Sequence, residues 1–160
     1  MSITPPPVGF IGLGVMGRSM AERLMAAYPD MHVHSRRKIS AEPLLARGAV
    51  WHNTPAELAA VCPVIFTMVG YPYDVEEVYL GTHGIMQKAA AGTLCIDMTT
   101  SSPQLAEKIY AVAKTKHIDV LDAPVSGGDS GAQNGTLSIM CGGDKAAFDA
   151  AEPYFRCIGK

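Results

Sequence analysis

Cysteine is scarce: the chain of 160 residues has four, Cys62, Cys95, Cys141 and Cys157, spread far apart, with no C-x-x-C pair and no histidine at ligand spacing. That pattern excludes a disulfide-stapled scaffold and assigns no metal site, and the apolar neighbours of each thiol predict buried free cysteines. An excess of basic charge is lacking too. Thirteen Lys and Arg stand against 15 Asp and Glu, for a net charge of −2 and a pI near 6.2. Nucleic acid or an anionic membrane surface needs clustered cations, so a small-molecule partner is expected instead. No apolar run approaches the roughly 18 residues that a membrane span requires, and the opening "MSITPPP" has neither the basic start nor the apolar middle of a signal peptide. A cytoplasmic protein without membrane attachment is the expectation.

What is present is glycine, 16 residues of it, within a composition that is 48% hydrophobic and 18% charged. That is the balance of a globular protein with many tight turns, and this length supports one domain comfortably. Residues 1–7 read as a flexible leading segment and 8–160 as one folded unit. Along it, "VGFIGLG" is a strand ending in glycine. "VMGRSMAERLMAAY" follows with apolar residues at helical spacing, and "MHVHSR" is a second strand. "AEPLLARG" is a helix stopped by Gly48, and "TPAELAAV" a helix with Thr54 as N-cap and Pro55 in its first turn. "CPVIFTMV" and "GTLCIDM" are strands, the first too apolar for anything but a parallel strand covered on both faces. "YDVEEVYL" and "SPQLAEKIYAVAKTK" are helices, the latter capped by Ser102. "HIDVLDA" and "GTLSIMCGG" are strands, and "DKAAFDAAEPYF" is a helix capped by Asp144. "GAQNGTL" reads as a tight turn at Asn134-Gly135, and "YFRCIGK" as the start of one more strand. Regular strand and helix exchange predicts an α/β fold, a doubly wound and largely parallel sheet of Rossmann type.

Gly12, Gly14 and Gly17 form G-x-G-x-x-G between the first strand and the first helix, the context in which that triplet carries a mechanism. The first glycine permits a sharp turn, the second lets backbone approach a pyrophosphate, and the third lets helix pack closely on strand. With Leu13, Val15 and Met16 they form a candidate phosphate cradle at a helix N-terminus, where free N–H groups favour an anion. At the end of the second strand, an NAD-preferring fold usually carries a carboxylate for the ribose hydroxyls. This chain has Ser35, Arg36, Arg37 and Lys38 there. Guanidinium groups suit a 2′-phosphate, so NADP (as NADPH) is expected over NAD, with Ser35, Arg36 and Arg37 as the contacts.

Four ordered motifs, "VGFIGLGVMG", "TMVGYPYDV", "IDMTTSSP" and "DAPVSGG", resemble those of the β-hydroxyacid dehydrogenases, the group that includes 3-hydroxyisobutyrate dehydrogenase, tartronate semialdehyde reductase and, more distantly, 6-phosphogluconate dehydrogenase. The resemblance runs from Val8 to Gly159. It implies a nicotinamide-dependent oxidoreductase acting on a small β-hydroxy acid. It also implies that Met68, Val69 and Gly70 run beneath the cofactor, with Asp74 beside them, although many members have Leu-Pro where Val69-Gly70 stands. Thr100, three residues before the proline of "IDMTTSSP", is implied to lie against the nicotinamide, with Thr99 second. Ser126, Gly127 and Gly128 are implied to offer a hydroxyl and two N–H groups to the substrate carboxylate, a role glycine suits because a Cβ would hold the anion off. Asp122 and Pro124 shape that turn.

The same resemblance places the proton-handling lysine on a helix beyond Lys160, in front of an all-helical domain that forms the dimer, so turnover by this chain alone is not expected. Lys108, Lys114 and Lys116 read as a solvated helix face, and His32, His34, His52, His83 and His117 fall in no motif. Two other readings of the chain stand beside the enzyme. One is a non-catalytic NADP-binding module for sensing or protein contact. The other is a short-chain dehydrogenase, since Tyr110 and Lys114 in "YAVAK" have Y-x-x-x-K spacing, though with the wrong glycine pattern upstream.

Overall fold

In the computed structural model, which describes residues 4–160, the chain begins with β1 (Val8–Ile11), α1 (Val15–Ala27) and β2 (Met31–His34). A 3-10 turn, the short α2 (Glu42–Leu45) and the two-residue β3 (Val50–Trp51) lead to α3 (Pro55–Ala59). Then come β4 (Val64–Thr67), α4 (Pro72–Leu80), β5 (Leu94–Asp97), α5 (Pro103–Thr115) and β6 (Asp119–Asp122). The chain closes with β7 (Val125–Ser126), α6 (Gly128–Asn134), β8 (Ser138–Ile139) and α7 (Lys145–Ile158). The six longer-range strands form one sheet in the order β3-β2-β1-β4-β5-β6, and every pairing within it is parallel.

All four residues of β1, β4 and β5 are buried, and alternate residues serve opposite faces. Phe10, Phe66 and Ile96 pack into one cluster with Met20 and Leu24 of α1 and Phe155 of α7. Ile11, Ile65 and Cys95 pack into the other with Leu58 of α3, Tyr79 of α4 and Ile109 of α5. Each fully buried large side chain of this kind contributes about 1.5–3 kcal/mol, so the three layers hold together from both faces of the sheet. Among the described residues no helix is long and apolar enough to cross a membrane.

Local chemistry sets several boundaries as the sequence predicts. Thr54 Oγ1 accepts from Glu57 N–H at 3.1 Å and Ser102 Oγ from Leu105 N–H at 3.1 Å, each followed by proline in the first turn. Gly48 has φ +101° after the α2 segment.

Other expectations are corrected. "YFRCIGK" is no strand: α7 runs through Pro153 to Ile158, because Tyr154, Phe155 and Ile158 extend the buried stripe begun by Ala147 and Ala151. Beyond it only Gly159 bridges, to Leu137. In "GAQNGTL" the chain does turn at Asn134-Gly135 toward β8, but the turn ends a helix. The first half of the stretch closes α6, and Gly135 caps that helix in the left-handed region at φ +68°, a geometry that tight turns and helix ends both ask of glycine. "GTLSIMCGG" gives only β8, which pairs antiparallel with β7 outside the main sheet. Asp144 sits at the N-cap position of α7 without capping it. β3 went unread, being two residues long. Cys62 and Cys95 are buried, but Cys141 and Cys157 are only half-buried.

Candidate functional site

The chain leaves β1 toward β2 and β3 on one side, then returns to β4 on the other, so the carboxyl ends of β1 and β4 diverge at the switch point where open α/β sheets take ligands. The turn there is tight. Gly12 has φ +98°, and a Cβ on it would overlap the Met68 carbonyl; a Cβ on Gly17 would overlap the carbonyl of Gly12. These two glycines are demanded by the protein's own packing. Gly14 is not: its φ is −70°, and a Cβ there would meet nothing within 4 Å.

The space beside Gly14 is the mouth of α1. Arg18 N–H bonds to the Gly14 carbonyl at 2.9 Å, so the amides of Val15, Met16 and Gly17 come before the first intrahelical bond. α3, α4 and α5 each have an N-terminal amide held by a side chain, whereas α1 has no side-chain cap and no acidic residue in its first turn. An uncapped thirteen-residue helix opening on free space beside a glycine fits the pyrophosphate of a dinucleotide.

A crevice of about 590 Å³ runs from this point. It brings together Gly12, Leu13, Gly14, Val15, Met16 and Gly17 with Ser35, Arg36 and Arg37 from the end of β2, and with Met68, Val69, Gly70 and Asp74 from the other side of the switch. Arg36 Nη1 lies 3.5 Å from Asp74 Oδ1, while Asp74 Oδ2 accepts from Tyr71 N–H at 3.1 Å. Asp74 thus caps α4 and faces the arginine at once. Lys38 does not line the crevice; its ammonium lies over the Trp51 ring, 5.8 Å from the centroid.

Thr100, Ser126, Gly127 and Gly128 are exposed and do not line the crevice. Thr100 follows β5, and Ser126 ends β7 just before α6 opens at Gly128. Gly127 at φ +139° and Gly128 at φ +62° both lie where a side chain is strained. Thr99, by contrast, is buried, and its hydroxyl accepts from Val69 N–H at 3.0 Å.

Several crevice residues escaped the sequence reading: His34, Ser40, Pro55, Glu77, Val78 and His83. Asp74, Glu77 and Val78 share the i, i+3, i+4 spacing of one helix face, a signal that was available once α4 was located. His34 belongs to a histidine cluster that no linear motif reveals. Its Nδ1 donates to the His52 carbonyl at 2.9 Å, and His52 Nε2 lies 2.8 Å from His32 Nδ1. His32 Nε2 lies 3.0 Å from Asp30 Oδ1, so one imidazole bridges a carboxylate and a second imidazole. Burial pulls both His34 and His52 below the usual imidazole range.

The Y-x-x-x-K spacing of Tyr110 and Lys114 leads elsewhere. Tyr110 Oη donates to Asp144 Oδ1 at 2.9 Å and Lys114 Nζ to Asp144 Oδ2 at 2.6 Å. Both side chains are tied to one carboxylate that does not line the crevice, which explains why Asp144 leaves α7 uncapped. Lys108 pairs with Glu76 at 3.0 Å, and no lysine among the described residues lines the crevice.

A family model described as the NAD binding domain of 6-phosphogluconate dehydrogenase matches residues 7–160. The chain belongs to that family. Among its relatives, an uncharacterised oxidoreductase of Bacillus subtilis is 54% identical over 153 residues, covering 96% of this chain and 53% of the relative. A solved structure of Psf3 in complex with NADP+ and 2-OPP is 32% identical with TM-score 0.90, covering 95% of this chain and 54% of the other. Mycobacterium tuberculosis 3-hydroxyisobutyrate dehydrogenase, solved with L-serine, is 30% identical with TM-score 0.89, over 96% of this chain and 52% of the other. The chain spans about half the length of the relatives it matches.

Proposed function

We propose that the chain is the cofactor half of an NADP-dependent dehydrogenase that moves a hydride between nicotinamide and the hydroxyl-bearing carbon of a small β-hydroxy acid. The observation that carries this reading is the uncapped start of α1, open beside Gly14, in one crevice with Arg36 and Arg37. When bound, the dinucleotide supplies the hydride acceptor. The chain's own groups hold and orient it: amides of the Gly12–Gly17 loop at the pyrophosphate, Ser35, Arg36 and Arg37 at the 2′-phosphate, Met68, Val69 and Gly70 along its length, and Thr100 at the nicotinamide. Asp74 holds Arg36 toward the crevice.

Ser126, Gly127 and Gly128 would take the substrate carboxylate. The positive φ of both glycines, which only a residue without a side chain adopts readily, supports that role, as does the likeness to an enzyme solved with L-serine, itself a β-hydroxy acid. The substrate hydroxyl needs a base for its proton, and no lysine among the described residues lines the crevice. We therefore assign proton transfer to the family's lysine outside this segment and expect negligible turnover by these residues alone. The four free thiols suit a reducing compartment, the cytoplasm. Isothermal titration with NADPH and NADH tests the reading: NADPH is expected to bind the tighter, and equal affinity, or no binding of either, would overturn it.

A further inference from the structure

We propose that Asp97 is a positioning residue for the nicotinamide end of the crevice, its buried carboxylate fixing the loop after β4 and the segment after β5 through a directed chain of hydrogen bonds. This role presupposes the dinucleotide reading given above.

Asp97 ends β5 and pairs in register with Thr67, the end of β4. Asp97 is 5% exposed, and Thr67 and Thr99 are buried beside it, so three of the four buried polar side chains among the described residues meet at one point. The directions follow from what each group can donate. An ionised carboxylate only accepts, so Thr67 Oγ1 donates to Asp97 Oδ1 at 2.9 Å. That uses the only proton of Thr67, and its 3.0 Å contact with Tyr79 Oη is therefore Tyr79 donating. Thr99 N–H donates to the same Oδ1 at 3.1 Å. The Thr99 hydroxyl oxygen in turn accepts from Val69 N–H at 3.0 Å. Val69 lines the crevice. One anion thus sets the rotamer of Thr67 and anchors the backbone of Thr99, whose hydroxyl receives the Val69 amide of the crevice floor.

The arrangement is costly, which separates it from ordinary packing. Burial raises the Asp97 carboxyl to about 6, against the lowering effect of the Thr99 and Thr67 hydrogen bonds. Asp122 on β6 pushes it in the same upward direction. Tyr79 of α4 and Glu107 and Tyr110 of α5 line a cavity of about 220 Å³ that reaches the same carboxylate, and among these residues no cation faces it. A protonated Asp97 would present a hydrogen to groups arranged as donors, and the chain of bonds from Thr67 to Val69 would have to turn.

The test compares the unaltered chain with Asp97→Asn by titration with NADP+ between pH 5 and 8, together with amide hydrogen exchange at Val69. The 2′-phosphate titrates in the same range and His34, lowered by burial, also gains a proton on acidification, but both do so in both proteins, so the ratio of the two dissociation constants isolates Asp97. Asp97→Asn is expected to bind about tenfold more weakly at pH 8, the loss of about one hydrogen bond's worth of order. The ratio is expected to shrink toward one by pH 5, and Val69 to exchange faster in the variant at high pH. Thr99→Val, which removes the acceptor of the Val69 amide and leaves the carboxylate, is expected to cost a similar factor and serves if Asp97→Asn does not fold. Binding by the unaltered chain with a pH-independent ratio, or with Val69 equally protected in both proteins, would overturn the proposal alone. No NADP+ binding by the unaltered chain at any pH would instead sink the dinucleotide reading, and this role with it.

Discussion

Arg23 of α1 reaches the carbonyl of Cys157 near the end of α7, its Nε donating at 2.9 Å. Its Nη1 donates to the carbonyl of Gln133 in the last turn of α6 at 3.1 Å. One guanidinium therefore satisfies carbonyls at the ends of two helices, and it stands on the helix that opens at the glycine loop. It joins that helix to α6, whose own start is at Gly128, so the two candidate anion sites share a brace. A Cβ on Gly135 would collide with this side chain. Arg23→Met is expected to cost about 1–2 kcal/mol, or roughly 2–8 °C in melting temperature for a chain of this size. Arg23→Lys should recover only part, because a point-like ammonium cannot serve both carbonyls as a planar fork does. Thermal unfolding followed by circular dichroism decides it, and an unchanged melting temperature for Arg23→Met would count against the brace.

The three glycines of the first loop separate packing from binding. Gly12→Ala puts a Cβ into the Met68 carbonyl at a φ of +98°, and strain of this kind costs on the order of 1–3 kcal/mol before the overlap is added. Gly14→Ala meets open space, so its melting temperature should stay within about 2 °C of the unaltered chain while NADPH affinity falls at least tenfold as the Cβ takes the pyrophosphate's place. A Gly14→Ala variant that binds NADPH normally would remove the phosphate from that position.

Arg36 and Arg37 test cofactor choice. Each charge-assisted bond to a phosphate contributes about 1.5–3 kcal/mol, so replacing both by alanine should weaken NADPH by at least about 100-fold and leave NADH within about threefold. Asp74→Asn keeps an oxygen for the Tyr71 amide but loses the charge facing Arg36, and a smaller loss confined to NADPH is expected. Fluorescence titration with both reduced cofactors measures this directly. Equal losses for the two would mean that the arginines do not read the 2′-phosphate.

Much of this was legible because it is local. Strands buried on both faces read as unbroken apolar runs, Thr54 and Ser102 cap where hydroxyl-proline pairs say they should, and the glycine triplet lies between a strand and a helix. What the sequence hid depends on through-space meeting. His32 and His52 are 20 residues apart and share a hydrogen bond across β2 and the segment after β3. Asp97 looks like a strand residue until Thr67, 30 positions away, is found bonded to it. Tyr110 and Lys114 satisfy a catalytic spacing, and only the position of Asp144 shows where they are engaged. Pro153 stands inside α7, where the buried stripe on either side of it outweighs the one missing amide.

The pH dependence of stability follows from groups that pull in opposite directions. Asp97 is raised from 3.8 to about 6 in the folded chain, so the folded state holds its proton more tightly than the unfolded state. Stability from this group is full below pH 3.8 and is lost as pH rises through 6, on the order of 3 kcal/mol in all. His34 and His52 are lowered from 6.5 by burial, so their contribution is present above 6.5 and is lost as pH falls below it. Between pH 6.5 and 4 the two effects oppose each other, so the unaltered chain should lose less stability on acidification than the histidines alone would cost it. Asp97→Asn removes one side of that balance. It should melt higher than the unaltered chain at pH 8, where an amide replaces a costly buried anion, and it should lose stability more steeply on acidification because the histidines then act unopposed. Melting curves of both proteins from pH 4 to 8 check this, and temperatures that run parallel across the range would contradict a titration of Asp97 in the fold. A variant that is more stable at pH 8 yet binds dinucleotide less well would show why an ionised carboxylate is kept in an interior that resists it.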